Sequence, residues 1–164
     1  MSEVEFIDRV CYTDWMTATA HAIIGGAIAA STPTNPTLGI TLTAMSHPIL
    51  DMVPHWDFGL GWKKKNKGFL FFQSSADLIF GIIITFLLFG RFTDNLYLLL
   101  AIFISESWDL MIMPYLLFNW KFPPFSTFYN VQHALNNRAN FFWGIFTQAA
   151  TVTGIVAFAL RTTH

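Results

Sequence analysis

The sequence predicts an all-α fold, a polytopic membrane helix bundle of about five short transmembrane helices plus one short interfacial helix. Three observations predict it. Hydrophobic residues make up 54% of the 164 residues and charged residues only 12%, about half the charged share of an ordinary soluble domain. Eighteen Phe and six Trp add more apolar surface than so few charges can cover in water. The apolar residues fall into separate blocks divided by Pro-, Asn- and Lys-containing breaks. The length suits a single membrane domain over residues 1–164.

The first block, near 17–31 (TATAHAIIGGAIAAS), is short and rich in Ala and Gly, which lets helices approach closely in lipid. STPTNPT follows as a tight loop. The second block, near 38–53 (LGITLTAMSHPILDMV), stops at Pro54. Both blocks fall short of the roughly 20 residues of a full span, so a tilted or partly re-entrant hairpin is an alternative to two crossings. The third (69–89) and fourth (96–118) are of full length, although the fourth contains Glu106 and Asp109. A Pro-Pro break then leads to a short surface helix near 126–136, flanked by rings suited to headgroup depth. The fifth block covers 141–160.

Lys63, Lys64, Lys65 and Lys67 lie between blocks two and three, and Lys121 and Arg138 between four and five. The positive-inside tendency makes that side cytoplasmic and places the N-terminus there. The first ten residues, MSEVEFIDRV, lack the zones of a cleaved signal peptide. A net charge of −1 gives no field that would attract nucleic acid. The single cysteine, Cys11, excludes an internal disulfide framework and a thiolate metal cluster.

The polar residues inside the apolar blocks are not scattered. His21 lies near the start of the first block, and His47 and Asp51 near the end of the second, with His55 and Asp57 just beyond. Asp77 is roughly 12 Å into the third helix at 1.5 Å per residue, and Asp109 lies at a similar depth in the fourth. Gln148 is near the start of the fifth, and His133 is in the connector. Up-and-down topology brings all of them into one half of the bilayer, where charges are costly unless paired, hydrated or functional. His47 and Asp51, at i and i+4, share a helix face, and the turn at Pro54 can return His55 and Asp57 over it. Imidazoles with carboxylates suit a divalent metal, zinc first, with manganese or iron as alternatives. Several acids gathered together also call for a cation.

Each residue has a plainer reading. Any one of these histidines can be a hydrogen-bonded packing residue. Asp77 can be satisfied by Gln73 or Ser74, and Glu106 and Asp109 can pair with His133 or Lys121. Gly25-Gly26 is a packing face, and KKKNK is a solvated loop or a site of headgroup attraction. Arg138, among Asn136, Asn137 and Asn140, can hold a phosphate or cap the surface helix. GxSxG, P-loop and HExxH patterns are absent from the sequence.

HAIIGG followed by SHPILDMVPHWD resembles a family of small bacterial membrane proteins, the membrane-bound metal-dependent hydrolases. The family's pattern, close to SHxxLDxxPHxD after an early His-Ala, matches at His21 and at His47, Asp51, His55 and Asp57. Asp77, Asp109, His133, and Gly144 with Gln148 match its later positions. The LPDxDH and HRGxTHS runs of larger relatives do not occur, and Trp108 stands where Pro is usual.

The resemblance implies a multi-pass protein of the bacterial inner membrane. It also implies a hydrolase acting at the cytoplasmic face on a phosphoester or lipid-type substrate. His21, His47, Asp51, His55 and His133 are the candidate metal ligands, and Asp57, Asp77 and Asp109 the candidate catalytic acids and bases. Gln148, Glu106 and Arg138 are candidate outer partners that orient them. Two competing readings are a non-catalytic metal or proton site for transport or regulation, and a structural membrane scaffold with a buried polar network.

Overall fold

Side chains that accept the first free N–H groups set the helix starts: Thr17, Asn35, Asn66, Asp94 and Asn140 each cap the helix that follows. The computed structural model describes residues 16–56, 65–136 and 139–163. Among the described residues the chain is all-helical. The helices are α1 (Ala18–Ser31), α2 (Pro36–Asp51), α3 (Lys67–Phe89), α4 (Asn95–Ser105), α5 (Ser107–Phe118), α6 (Phe125–Leu135) and α7 (Phe141–Thr162). The expected surface helix is α6.

The expected five short transmembrane helices are corrected to two or three candidate spans among the described residues. Only α3 and α7, of 23 and 22 residues, are long and apolar enough to cross a membrane; α4 and α5 add a third if they count as one span bent by 48°. With 14 and 16 residues, α1 and α2 are about 21 and 24 Å long, short of a hydrocarbon core about 30 Å thick. The fourth expected segment is not continuous, because it breaks at Glu106.

The short α1 is the axis of the bundle, packed against α2, α3, α4 and α7. It is buried on every side from Ala20 to Ala27, which its small residues permit. At the α1–α3 crossing, a Cβ on Gly81 would stand 2.7 Å from the Thr19 Cα and 3.0 Å from the Ala22 Cβ. Only a glycine allows the two backbones that close.

The long helices expose apolar outer faces, and α2 in addition turns polar residues inward. Along α2 the buried positions are Gly39, Thr43, His47, Leu50 and Asp51, while Leu38, Leu42, Met45, Ile49 and Met52 are exposed. In α3 only Leu70, Gly81, Thr85 and Phe89 are buried; Phe69, Phe71, Phe72, Phe80 and Leu87 are exposed. A soluble protein rarely leaves so much contiguous apolar surface to water, whereas a bilayer covers it.

The passes alternate in direction, which gives the bundle two distinct ends. At one end the Lys67 Nζ donates to the Leu116 carbonyl, so the start of α3 lies beside the end of α5. At the other, Thr32 Oγ1 meets Tyr97 Oη at 2.8 Å and Ser31 Oγ meets Thr162 Oγ1 at 3.4 Å. The polar cluster described below lies toward the first end.

Gly81→Ala is expected to destabilise the protein by about 1–3 kcal/mol through overpacking against the α1 backbone. Gly154→Ala, with nothing within 4 Å of the added methyl, is expected to stabilise α7 by about 0.5–1 kcal/mol. Thermal unfolding in detergent checks both. Equal melting temperatures for the two variants would contradict the close α1–α3 crossing.

Candidate metal centre

Four helices deliver side chains to one buried cluster. The periodicity of α2 puts His47 and Asp51 on its inner face, one turn apart. From α1 comes His21, fully buried like His47 and Asp51. The fourth contribution depends on the break between α4 and α5. In a continuous helix the Ser105 carbonyl would accept the Asp109 N–H; here it accepts from His47 Nδ1 at 2.5 Å. The Ser105 hydroxyl donates to the His21 carbonyl at 2.7 Å, which ties the break to α1. Asp109 projects from the first turn of α5 toward the same place.

Because a carbonyl can only accept, the His47 Nδ1 must carry a proton, which leaves Nε2 to face the carboxylates. That Nε2 lies 3.5 Å from Asp51 Oδ2 and 3.6 Å from Asp109 Oδ1, and His21 Nε2 lies 3.2 Å from Asp51 Oδ1. The two imidazoles stack with centroids 3.8 Å apart at 9°, an arrangement that disfavours a positive charge on both rings.

Among the described residues, His21 Nδ1, His21 Nε2, His47 Nε2 and Asp51 Oδ1 are buried without a hydrogen-bond partner. Each such atom costs about 1–3 kcal/mol if nothing else satisfies it. The spacing suggests what would. Ligand atoms 2.0–2.2 Å from one tetrahedral ion stand about 3.3–3.6 Å from each other, and the three N···O separations here are 3.2, 3.5 and 3.6 Å. His21, His47 and Asp109 each offer a donor atom within 4.8 Å of the others, close enough to share one metal ion.

Gln132, from α6, completes the cluster and is absent from the expected set. Its side-chain NH2 donates to Asp51 Oδ2 at 2.8 Å and to Asp109 Oδ1 at 3.0 Å, with the residue only 1% exposed. The amide bridges the two acids and fixes the oxygens that face His47. His133, the expected ligand, lies one residue further round α6 and stacks on Tyr129 at 6.0 Å. The signal for Gln132 was its spacing from Phe125, Phe128 and Tyr129, the ring-bearing face of α6.

The remaining expected residues divide. His55 is buried and within electrostatic reach of Asp51, and its Nδ1 donates to the Val53 carbonyl at 2.6 Å. Its backbone is pressed against α7, where a Cβ on Gly144 would stand 2.6 Å from the His55 carbonyl carbon. Asp77 acts across helices as a cap for α1, accepting from the Ala18 N–H at 2.7 Å and the Thr19 hydroxyl at 2.6 Å. Gln148 donates to the Thr17 hydroxyl, beside the same helix start. Asp57 and Arg138 lie outside the described residues.

Beside the cluster is a cavity of about 140 Å³ whose lining includes Asp77, Glu106 and Asp109. The Asp109 side chain is 17% exposed, against 0–1% for those of His21, His47 and Asp51. Asp109 is therefore the wall between the buried imidazoles and the cavity.

No family model, no curated protein and no solved structure matches this chain.

Proposed function

We propose that the protein is a metal-dependent hydrolase embedded in the membrane, its divalent ion held by His21, His47 and Asp109 with the fourth position left for water. The observation that carries this reading is a set of imidazole and carboxylate atoms at ligand-to-ligand spacing, in which His21 Nε2, His47 Nε2 and Asp51 Oδ1 have no hydrogen-bond partner. Nitrogen and oxygen donors without thiolate suit zinc first, then manganese or iron. A bound ion of this kind supplies Lewis acidity and lowers the pKa of a water toward neutrality.

The protein's own groups divide the remaining work. Gln132 holds Asp51 and Asp109 in orientation through its two N–H bonds. Asp109, bordering the cavity, is the ligand through which the ion faces it, and a carboxylate bound through one oxygen can accept a proton from a reacting water on the other. Asp77 is committed to the start of α1 and serves as a positioning residue. A phosphoester or lipid-type substrate is proposed because the cavity walls are largely apolar and include Leu70, Phe71 and Leu110. The inner membrane is the proposed location, with the cluster toward the cytoplasmic face; Lys65 and Lys67 at the start of α3 support this orientation.

A second reading, an ion that only clasps helices together, is favoured by the complete burial of His21, His47 and Asp51, since structural sites are closed. Access through Asp109 favours the enzyme.

Elemental analysis of protein purified in detergent is expected to find about one divalent ion per chain. His47→Ala should lose it, and Gln132→Ala should weaken metal affinity about 10–100-fold. Metal-free wild-type protein that folds and melts unchanged after purification in zinc-containing buffer would remove the centre altogether.

Hydrolysis of a chromogenic phosphodiester and of phospholipid in mixed micelles is expected to stop on chelation and return with added metal. Asp109→Asn should lower the rate about 10²–10⁴-fold. Retained metal with no turnover of either substrate would leave the helix-clasp reading in place of the hydrolase.

A further inference from the structure

Of the three acids around the cavity, Asp109 faces the metal centre and Asp77 caps α1, which leaves Glu106 without an assigned partner. It occupies the break between α4 and α5, is only 2% exposed, and its Oε1 finds no hydrogen-bond partner among the described residues. It lines the cavity together with Asp77 and Asp109. The described lining also includes the hydroxyl-bearing Thr17, Ser74 and Ser75, and no Lys, Arg or His. Lys65 and Lys67, the nearest basic residues in sequence, donate instead to Gln73 Oε1 at 3.3 Å and to the Leu116 carbonyl at 2.6 Å. Asp77 and Asp109 have donors of their own, so Glu106 is the acid beside them that still requires a cation or a proton. A partnerless, nearly buried carboxylate oxygen at that space shows where the cation would be held.

We propose that this cavity binds a second divalent cation through Glu106 and Asp109, with Asp77 and the serine hydroxyls around it. The charged and hydroxyl donors of the cavity are all oxygens, with the thioethers of Met16 and Met113 as its soft groups, so the carboxylates favour a hard ion such as Mn²⁺, Mg²⁺ or Ca²⁺, in contrast to the imidazole-bearing centre next to it. At about 140 Å³ it has room for an ion that keeps several of its waters, as hard ions prefer. Asp109 belongs to both sites. Its Oδ1 faces His47 and Gln132, and its carboxylate borders the cavity, so the two ions share one ligand. The inference rests on the metal-centre reading only through this shared residue.

The test uses the full chain in detergent, stripped of metal, given one equivalent of Zn²⁺, and titrated with Mn²⁺ while electron paramagnetic resonance counts the free ion. About one further equivalent of Mn²⁺ should bind. Glu106→Gln should weaken that step at least about tenfold by removing a charged ligand, and leave zinc retention unchanged. Ser74→Leu, which fills the cavity without touching an acid, should weaken it also and serves if Glu106→Gln does not fold. Absence of Mn²⁺ binding in the zinc-loaded protein, or equal binding in wild type and the variants, overturns the inference; a proton on Glu106 would give that result. The two readings fail separately. Zinc retained with Mn²⁺ unaffected by the variants sinks the second site alone. Zinc never retained, with Mn²⁺ binding lost in Glu106→Gln, sinks the imidazole centre and leaves the second site standing.

Discussion

Asp51 carries the charge around which the buried end of the bundle is arranged. One of its oxygens faces His21 from α1 and the other faces His47 from its own helix and Gln132 from α6. A carboxylate placed so deeply is costly unless neighbouring dipoles, protons or an ion compensate for it. Every helix that approaches it does so with a polar group: an imidazole from α1, an amide from α6, and a second carboxylate from α5 that needs a positive partner of its own. Removing Gln132 takes a hydrogen bond from both acids at once. The cluster is therefore cooperative, and its members are constrained together rather than singly.

The shape of the bundle follows from the need to bring those groups to one point. α1 is too short to span, yet it is the most enclosed helix, because Ala and Gly allow four neighbours to close around it. The break at Glu106 has a comparable effect. By ending the regular ladder at Ser105 it frees a carbonyl that orients His47, and it turns Asp109 inward. Irregular backbone at this depth is tolerated where it is enclosed by protein and lines a cavity, and that is where the break lies.

Much of this was legible in the sequence, and the losses have physical causes. Hydropathy located all five apolar segments and the connector helix, because each is a block with a Pro, Asn or Asp boundary. Five transmembrane helices were too many: the shortness of the first two blocks was legible and is confirmed by the 14 and 16 residues of α1 and α2, whereas the bend in the fourth has no hydropathic signal. The i, i+4 spacing of His47 and Asp51 correctly placed both on one inner face. Depth counting brought Asp109 to them and Asp77 only near them, since depth says nothing about azimuth. Asp77 faces the α1 backbone and is used there as a cap. His133 is the expected ligand by residue type, but the ring-bearing face of α6 carries the amide of Gln132 inward instead.

Asp109 connects these levels. Its position in the first turn of α5 follows from the break, its Oδ1 is fixed by Gln132 and faces His47, and its partial exposure is the buried centre's contact with the cavity. A fully enclosed set of imidazoles and one acid would favour a permanent, closed ion. A carboxylate that is half inside that set and half in an acid-lined cavity changes the balance, because it can shift its bonds as charge moves between the two spaces. The bend at Glu106 places both the shared acid and the partnerless one on the same short stretch of backbone. Any rearrangement that straightens α4 and α5 would therefore withdraw Asp109 from His47 and Glu106 from the cavity in a single movement.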